Sequence, residues 1–501
     1  MKTQQNLWSR LPETGLQRWQ AERLSQYLRT VVLPFSAHYR KLFRENGLSV
    51  DSIRTLEDLA RLPFTSKADL LNTPDNPQHF RDLVLVPDEK ILGRRPGVML
   101  QALLHGRSSV REKFESEFRP VFMTFTTGRS AEPVPFLYSQ LDLDRLAVAG
   151  RRVMEVCGAK REDRLLNSFP YAPHLAFWLT HYAGTSFGAM MFSSGGGKVM
   201  STNDTLRMVR KIKPDDFIGI PTFLYHVLHQ AAEEGLRWEN LRSIVLGGEK
   251  VNDGLRQKLR DLACELGASP EKLNVLATYG FTEAKMAWAE CQFPHGQPSA
   301  GYHLYSDMGI IEIINPKTGE VMPDGQPGEI VFTPLDARGT VVLRYRTGDY
   351  TDGGITTAPC PYCHRTMPRL VGNISRSSEI REMNLDKIKG TLVDFNELEH
   401  VLDDAPHVGA WQVELRKLND DPHDLDQIIL HVQKTNGADE GQLRRDLSER
   451  CYRYTDIHPN RISFHDAEEM QQLQGVGRLI KEQKLVDHRP KAGVTETTTP
   501  S

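Results

Sequence analysis

FLYHVLHQAAEEGLRWENLRSIVLGGEKVNDGLRQKLRDLACELGASPEKLNVLATYG, residues Phe223 to Gly280, runs through one rhythm twice. A helical pattern (FLYHVLHQAAEEG, 223–235) leads into a short apolar run ending in glycines (LRSIVLGG, 241–248). A second helical pattern (DGLRQKLRDLACELG, 253–267) leads into KLNVLATYG, 272–280. Helices of this length between buried runs of four to eight residues predict βα units and a largely parallel sheet with helices on its faces. The same rhythm extends upstream. LDLDRLAVAGRRVMEVCG precedes DRLLNSFP, and TNDTLRMVRKIK precedes DFIGIP. In such folds ligands lie beyond the carboxyl ends of the strands. Those ends are Gly219-Ile220-Pro221, Gly247-Gly248-Glu249 and Tyr279-Gly280-Phe281-Thr282-Glu283.

Outward from this core the pattern changes. Residues 15–47 read as two helices interrupted near Pro34, and TLEDLARLPFTSKADLL continues a helical, polar-surfaced pattern. The stretch 75–120, with scattered Arg and Pro, reads as an insertion in the main fold. Residues 308–333 alternate apolar and polar side chains around Gly, Pro and Asp turns, as antiparallel hairpins do. Beyond Arg376, ELEHVLDD and EGQLRRDLSERCYRY read as helices, and VGAWQVELRK and QIILHVQK as strands. The expectation is an α/β protein. A large domain with a β-rich part spans 1–376, a small α+β domain spans 377–490, and 491–501 form a disordered tail.

Composition narrows the class. With 62 Lys and Arg against 65 Asp and Glu, the net charge is −3, so no global basic field exists to attract nucleic acid or anionic lipid. The opening MKTQQNLWSRLPETG lacks the apolar core of a signal peptide, and no run of about 18 apolar residues could span a bilayer. A cytoplasmic protein with no nucleic-acid or membrane partner is expected. Six cysteines in 501 residues are too few for a disulfide scaffold. Cys157, Cys264 and Cys451 stand singly in amphipathic segments and read as ordinary thiols.

TFTTGRSAEPVPF (124–136) gathers four hydroxyl side chains around one Gly and one Arg. Such a turn can point backbone N–H groups into an anion cradle, or be an ordinary Ser/Thr turn; it is not a Walker loop, which needs a Gly-Lys pair. Three further segments follow it in order: GGEKV (247–251), YGFTE (279–283) and YRTGD (345–349). Alone, YGFTE could be a turn capped by Thr282.

Together these segments resemble the adenylate-forming superfamily of acyl-CoA ligases. The similarity is closest to its phenylacetate–CoA ligase-like branch, through SSGGGKVMSTND, IKPDDFIGIPTFLYHVL, LRSIVLGGEKV, IEIINPKTGEVMPDGQPGEIVFT, VVLRYRTGDY and CPYCHRTMPRL. The resemblance implies joining a carboxylic acid, an aromatic one in this branch, to the AMP part of ATP. Transfer to the thiol of coenzyme A follows, with Mg²⁺ assisting and the small domain moving between steps. Transfer to another nucleophile, or a non-catalytic nucleotide-binding descendant, are the competing readings. The resemblance makes Thr126, Thr127, Gly128 and Ser130 a phosphate loop in which Arg129, Ala131 and Glu132 depart from the family pattern. Glu132 stands where the family has Lys, a charge that Arg129 could restore. Gly247, Gly248 and Glu249 would border adenine, with Tyr279 on its face and Gly280 beside it. Thr282 would touch the α-phosphate, Glu283 would hold Mg²⁺, Asp349 would accept the ribose hydroxyls, and Arg376 would lie beside them. In GVGRLIKEQKLVDHRP the catalytic lysine falls on Lys481 by one register, while the other puts Arg478 there. An amine on a flexible stem favours Lys481. Tyr171, His174 and Phe177 would line the acid pocket, although the same segment also reads as a buried helix. Homodimers are expected by the same resemblance.

Cys360 and Cys363 form a CxxC in a turn between strands, which is not the helix-opening context of a redox motif. With Cys291 and His303 they make a Cys₃His set suited to tetrahedral Zn²⁺. His364 is a competing ligand, and free thiols are the alternative.

Overall fold

The computed structural model describes residues 7–9, 13–73, 76–126, 133–197, 199–376, 380–386, 389–418, 425–435, 437–455, 457–479 and 482–489. The hairpin β1 (Phe122–Phe125) and β2 (Pro135–Tyr138) opens the main body. A six-stranded sheet follows: β3 (Arg164–Asn167), β4 (Met190–Ser193), β5 (Asp216–Gly219), β6 (Ser243–Leu246), β7 (Asn274–Phe281) and β8 (Met286–Ala289), in spatial order 4-3-5-6-7-8. All neighbours run parallel except β7 and β8. The βα rhythm thus gives a parallel sheet, as expected. Its interior strands β5 and β6 are buried at every position, which is why they read as continuous apolar runs.

The connecting helices start where local chemistry says they should. Ser139 and Asp142 form a capping box for Gln140–Cys157, Ser201 caps Thr202–Ile212, Pro221 opens Pro221–Glu233, and Asn252 caps Asp253–Glu265. Each helix therefore begins just after a strand's carboxyl end or in the loop returning to the next strand.

The β-rich part contains β9 (Tyr302–His303), β10 (Gly309–Ile314), β11 (Gly328–Pro334), β12 (Tyr345–Thr351), β13 (Ile355–Thr356), β14 (Arg369–Leu370) and β15 (Ile374–Arg376). Strands β10, β11, β12 and β15 make an antiparallel sheet, and β13, β14 and β9 a smaller one. The hairpin expected over 308–333 is β10 against β11. The chain continues through β16 (Ile380–Asp386), β17 (Lys389–Asp394), β18 (Val408–Lys417), β19 (Asp426–Lys434), β20 (Arg461–His465) and β21 (Leu485–Asp487). The last four form a mixed sheet in order 20-19-18-21. The helices Phe395–Asp403 and Glu440–Thr455 close a separate apolar core around Leu402, Leu430 and Leu447.

One sequence expectation needs revision. TLEDLARLPFTSKADLL is not one helix: Pro63 separates the two short 3₁₀ turns Glu57–Arg61 and Lys67–Leu70. Between them Thr65 pairs with β12, its N–H donating to Arg344 O and its carbonyl accepting from Arg346 N. The stretch 75–120 is largely helical, with Pro96–His105 and Arg107–Phe118 back to back. It is tied in by the Val84–Thr340 bridge and by buried Leu92 and Phe118. No described helix is long and apolar enough to cross a membrane.

The small C-terminal unit docks on the large one through groups that reach across. Asn252 Nδ2 donates to Asp403 Oδ2 at 2.5 Å, and His226 Nε2 meets Gln474 Oε1 at 2.8 Å. At Gly197 the two backbones nearly touch: a methyl group there would stand 2.8 Å from Gly477 Cα.

Candidate active site

A cleft of about 1790 Å³ opens beyond the carboxyl ends of β5, β6 and β7, between the parallel sheet, β12 and the C-terminal unit. It exceeds the few hundred to about 1,000 Å³ usual for one small ligand. Thr126, Gly247, Gly248, Glu249, Tyr279, Gly280, Thr282, Glu283, Asp349 and Arg376 all line it, so residues spread over 251 positions meet at one place.

Asp349 is the most constrained of them. Tyr279 donates its hydroxyl to Asp349 Oδ2 at 2.9 Å, and Arg376 Nε lies 2.8 Å from Oδ1. This pairing follows from register, since Asp349 and Arg376 are cross-strand partners in β12 and β15. Tyr279 also packs on Trp288 with ring centroids 6.0 Å apart, so its ring is fixed before any ligand arrives.

Glu283 sits on the turn Thr282–Ala284 directly after β7. Burial pushes its carboxyl above the ordinary glutamate value, opposed by a hydrogen bond from Tyr345 OH to Oε1 at 2.6 Å. Glu249 accepts from Thr222 N at 3.2 Å and from Thr222 Oγ1 at 2.7 Å, which fixes the turn in which Gly248 takes φ +85°, a conformation reserved largely for glycine.

Thr126 and Val134 exchange hydrogen bonds, with Thr126 N donating to Val134 O and Val134 N donating to Thr126 Oγ1, each at 3.0 Å. The two ends of the Thr/Ser-rich segment are therefore clamped at the cleft wall. Thr127, Gly128 and Ser130, with Arg129, Ala131 and Glu132, lie outside the described residues. Phe125 O, one residue before the clamp, accepts from Thr282 Oγ1 at 3.4 Å and meets His174 Nδ1 at 3.2 Å.

His174 and Phe177 reach the cleft wall at the start of the helix Leu175–Phe187. Tyr171 does not: it is 62% exposed and packs edge-on against Phe177, 5.1 Å between centroids. An apolar branch of the cleft runs instead between Val153, Met154, Leu179, Ala183 and Val245. These residues carry no local signal in the sequence, because a pocket wall and a core face share one helical periodicity.

Lys481 lies outside the described residues, while Leu479 and Glu482 on either side line the cleft. Arg478 donates through Nη2 to Gln472 O at 2.6 Å. A lysine not singled out from the sequence, Lys484, is half-buried in the cleft wall, 3.0 Å from Glu399 and 3.4 Å from Asp403. Those two carboxylates outweigh burial and raise its affinity for a proton.

Cys291, His303, Cys360 and Cys363 converge with all ligand atoms within 4.8 Å of one another. Cys291 Sγ lies 3.5 Å from Cys360 Sγ, and Cys363 Sγ lies 3.5 Å from His303 Nε2. Ligands about 2.3 Å from a tetrahedral ion stand roughly 3.8 Å apart, so the set fits zinc. His364 is outside the set. Cys291 directly follows Glu290, and His303 follows Tyr302; Glu290 and Tyr302 both line the cleft, so the cluster stands behind its wall.

Residues 68–334 match the family described as AMP-binding enzyme, and the chain belongs to that family. Within it, the chain is 27% identical over 418 residues to the phenylacetate-coenzyme A ligase of Pseudomonas putida, covering 82% of this chain and 81% of the relative. Identity to the enzyme of the same name from Thermus thermophilus is 26% over 450 residues, covering 88% and 84%. The fold is similar to that of 2-hydroxyisobutyryl-CoA ligase in the postadenylation state in complex with R3-HIB-AMP. The TM-score is 0.74 at 19% identity, covering 96% of this chain and 92% of that one.

Proposed function

We propose that this protein is an ATP-dependent, AMP-forming acid–CoA ligase acting on an aromatic acid of the phenylacetate type. The observation that carries the reading is the convergence of Glu283, Thr282, Asp349 and the Thr126 clamp on one cleft, in a chain similar to phenylacetate-coenzyme A ligases over most of its length.

In the first step a carboxylate oxygen of the acid bonds to the α-phosphorus of ATP, the bond to the β-phosphate oxygen breaks, and pyrophosphate leaves. In the second, the thiol sulfur of coenzyme A bonds to the acyl carbon, the bond to AMP breaks, and the thiol proton is released. Asp349 accepts the ribose hydroxyls, and the Tyr279 ring with Gly247 and Gly248 encloses the base. Thr282 donates to the α-phosphate, and Lys481 neutralises charge between that phosphate and the acid carboxylate. Glu283 suits Mg²⁺ through a carboxylate oxygen; such an ion would offset triphosphate charge. Phe177, His174 and the apolar branch receive the acid. Cys291, His303, Cys360 and Cys363 would hold a structural zinc that pins β9 and the segment after β8 and takes no part in bond making.

Incubation with ATP, Mg²⁺ and a panel of aryl and aliphatic acids, with and without coenzyme A, tests this. AMP and a thioester formed only with coenzyme A is the expected result. Accumulating acyl-AMP without thioester would assign the acyl group to another acceptor, and no ATP turnover with any acid would leave a binding protein. Lys481→Ala abolishes adenylation while Arg478→Ala does not; the reverse would move the role to Arg478. Elemental analysis of protein purified without added metal should find about one zinc per chain.

A further inference from the structure

Among the described residues, six Lys and Arg side chains line the cleft: Lys67, Lys250, Arg256, Arg346, Arg376 and Lys484. Four are already committed. Arg256 holds Glu290 at 3.0 Å, Arg346 holds Glu329, Arg376 holds Asp349, and Lys484 holds Glu399 and Asp403. Among the described residues, neither Lys67 nor Lys250 has a carboxylate within ion-pair distance. Lys250 follows Gly248 and Glu249 at the end of β6. Lys67 sits on the segment that Thr65 docks against β12 beside Tyr345, whose hydroxyl touches Glu283.

Its approach is fixed by short-range bonds. Thr65 Oγ1 donates to Leu343 O at 2.8 Å, and Ser66 N and Oγ donate to Asp69 Oδ2 at 2.8 and 2.7 Å. Asp69 is thereby occupied by the Ser66 cap and does not neutralise the lysine. Meanwhile residues 127–132 contain no lysine, and Glu132 adds a negative charge.

We infer that Lys67 supplies the positive charge for the β- and γ-phosphates of the bound nucleotide, doing from the N-terminal segment what residues 127–132 lack a lysine to do. This rests on the ligase reading above. An ammonium on a flexible stem suits a group that must hold a triphosphate and then release pyrophosphate. The acyl-AMP left behind has no β- or γ-phosphate, so Lys67 should have no part in the thiol-transfer half of the reaction.

The test is nucleotide binding by calorimetry, using ATP with Mg²⁺ and AMP as separate probes. Lys67→Met keeps the stem and removes the charge. It should weaken ATP binding about tenfold or more and leave AMP binding unchanged, as expected for loss of one charge-assisted contact. Lys67→Arg should restore most of the loss. The two half-reactions give a second readout: Lys67→Met should slow pyrophosphate–ATP exchange while thioester formation from supplied acyl-AMP and coenzyme A keeps its rate. Equal loss for ATP and AMP, or no loss for either, overturns the inference. So does a tenfold loss found only with Arg129→Ala, which would place the charge within residues 127–132. Wild-type protein that binds neither nucleotide overturns the ligase reading as well.

Discussion

The cleft and the Cys₃His cluster behind its wall solve opposite problems with charged or ionisable groups. In the cleft three acids already have protein partners: Asp349 has Tyr279 and Arg376, Glu283 has Tyr345, and Glu249 has Thr222. These pairs orient the acids without a ligand and can be exchanged for ligand contacts when one binds. In the cluster three sulfurs and an imidazole nitrogen face one another, and His303 Nδ1 is buried without a hydrogen-bond partner. Groups arranged in that way suit a cation at their centre, which would draw all four ligand atoms together. The contrast teaches that acids lining an open cleft are held by protein partners, whereas the four cluster groups face chiefly one another.

The largest test of that contrast is Glu283→Gln. Its shape and hydrogen bond with Tyr345 remain, but its charge is gone, so adenylation should fall by about 10²–10³-fold with melting temperature maintained. Pyrophosphate release and thermal unfolding check the two halves. A comparable loss of stability would show that Glu283 serves the fold. Asp349→Asn comes next and should raise the KM for ATP by roughly tenfold, with a smaller change in kcat. An unchanged KM would mean that the Tyr279–Asp349–Arg376 arrangement is only structural.

For the cluster the pattern should invert. If the cluster holds zinc as proposed, Cys360→Ser, or prolonged chelation, should remove it and lower the melting temperature by about 5 °C or more. The kcat of protein still folded should change little. A large kcat loss in folded, zinc-free protein would break the division between the two sites.

The smallest effect lies far from both, at the opposite end of the sheet. Asp216 opens β5, and its carboxyl is pushed up to about 7 by burial and then by Asp163, with Arg242 opposing. Because the folded value lies above the unfolded one, the fold favours the protonated form. Stability therefore falls as pH rises from about 4 to about 7 and stays low above that. Asp216→Asn should raise the melting temperature by about 2 °C at pH 8, with a gain that shrinks toward pH 4. A pH-independent gain would show that repacking and not charge is responsible.

Much of this architecture was legible before any coordinates. Strands β3, β5, β6 and β7 announced themselves as apolar runs closed by SFP, GIP, GG and YG, and the turns that line the cleft followed from the parallel order. Met190–Ser193 escaped because its four residues merge into the glycine-rich stretch after them. The helices at 96–118 escaped because Met99, Leu100, Leu103 and Leu104 stand exposed, against the rule that an apolar helix face is covered. Within the cleft, the identities of Glu283 and Asp349 came from motif order. Arg376 beside Asp349 came from the same resemblance, but the Tyr345 hydroxyl on Glu283 did not, since a hydrogen bond across 62 residues depends on register and packing that local pattern does not encode. The apolar branch at Val153 and Val245 stayed silent for the same reason.

Gly197 and Gly477, one in each unit, stand so close that a side chain on Gly197 would clash with Gly477, while one on Gly477 would press on Gly197 O at 3.1 Å and strain its φ of +75°. Their meeting is a gauge of clearance: the units come together here only while both positions remain bare. A variant library or a domain graft that treats 197 and 477 as separate loop positions would sample neither safely. An alanine at one asks the other's backbone to move, so the two sites form a single unit of design although 280 residues separate them.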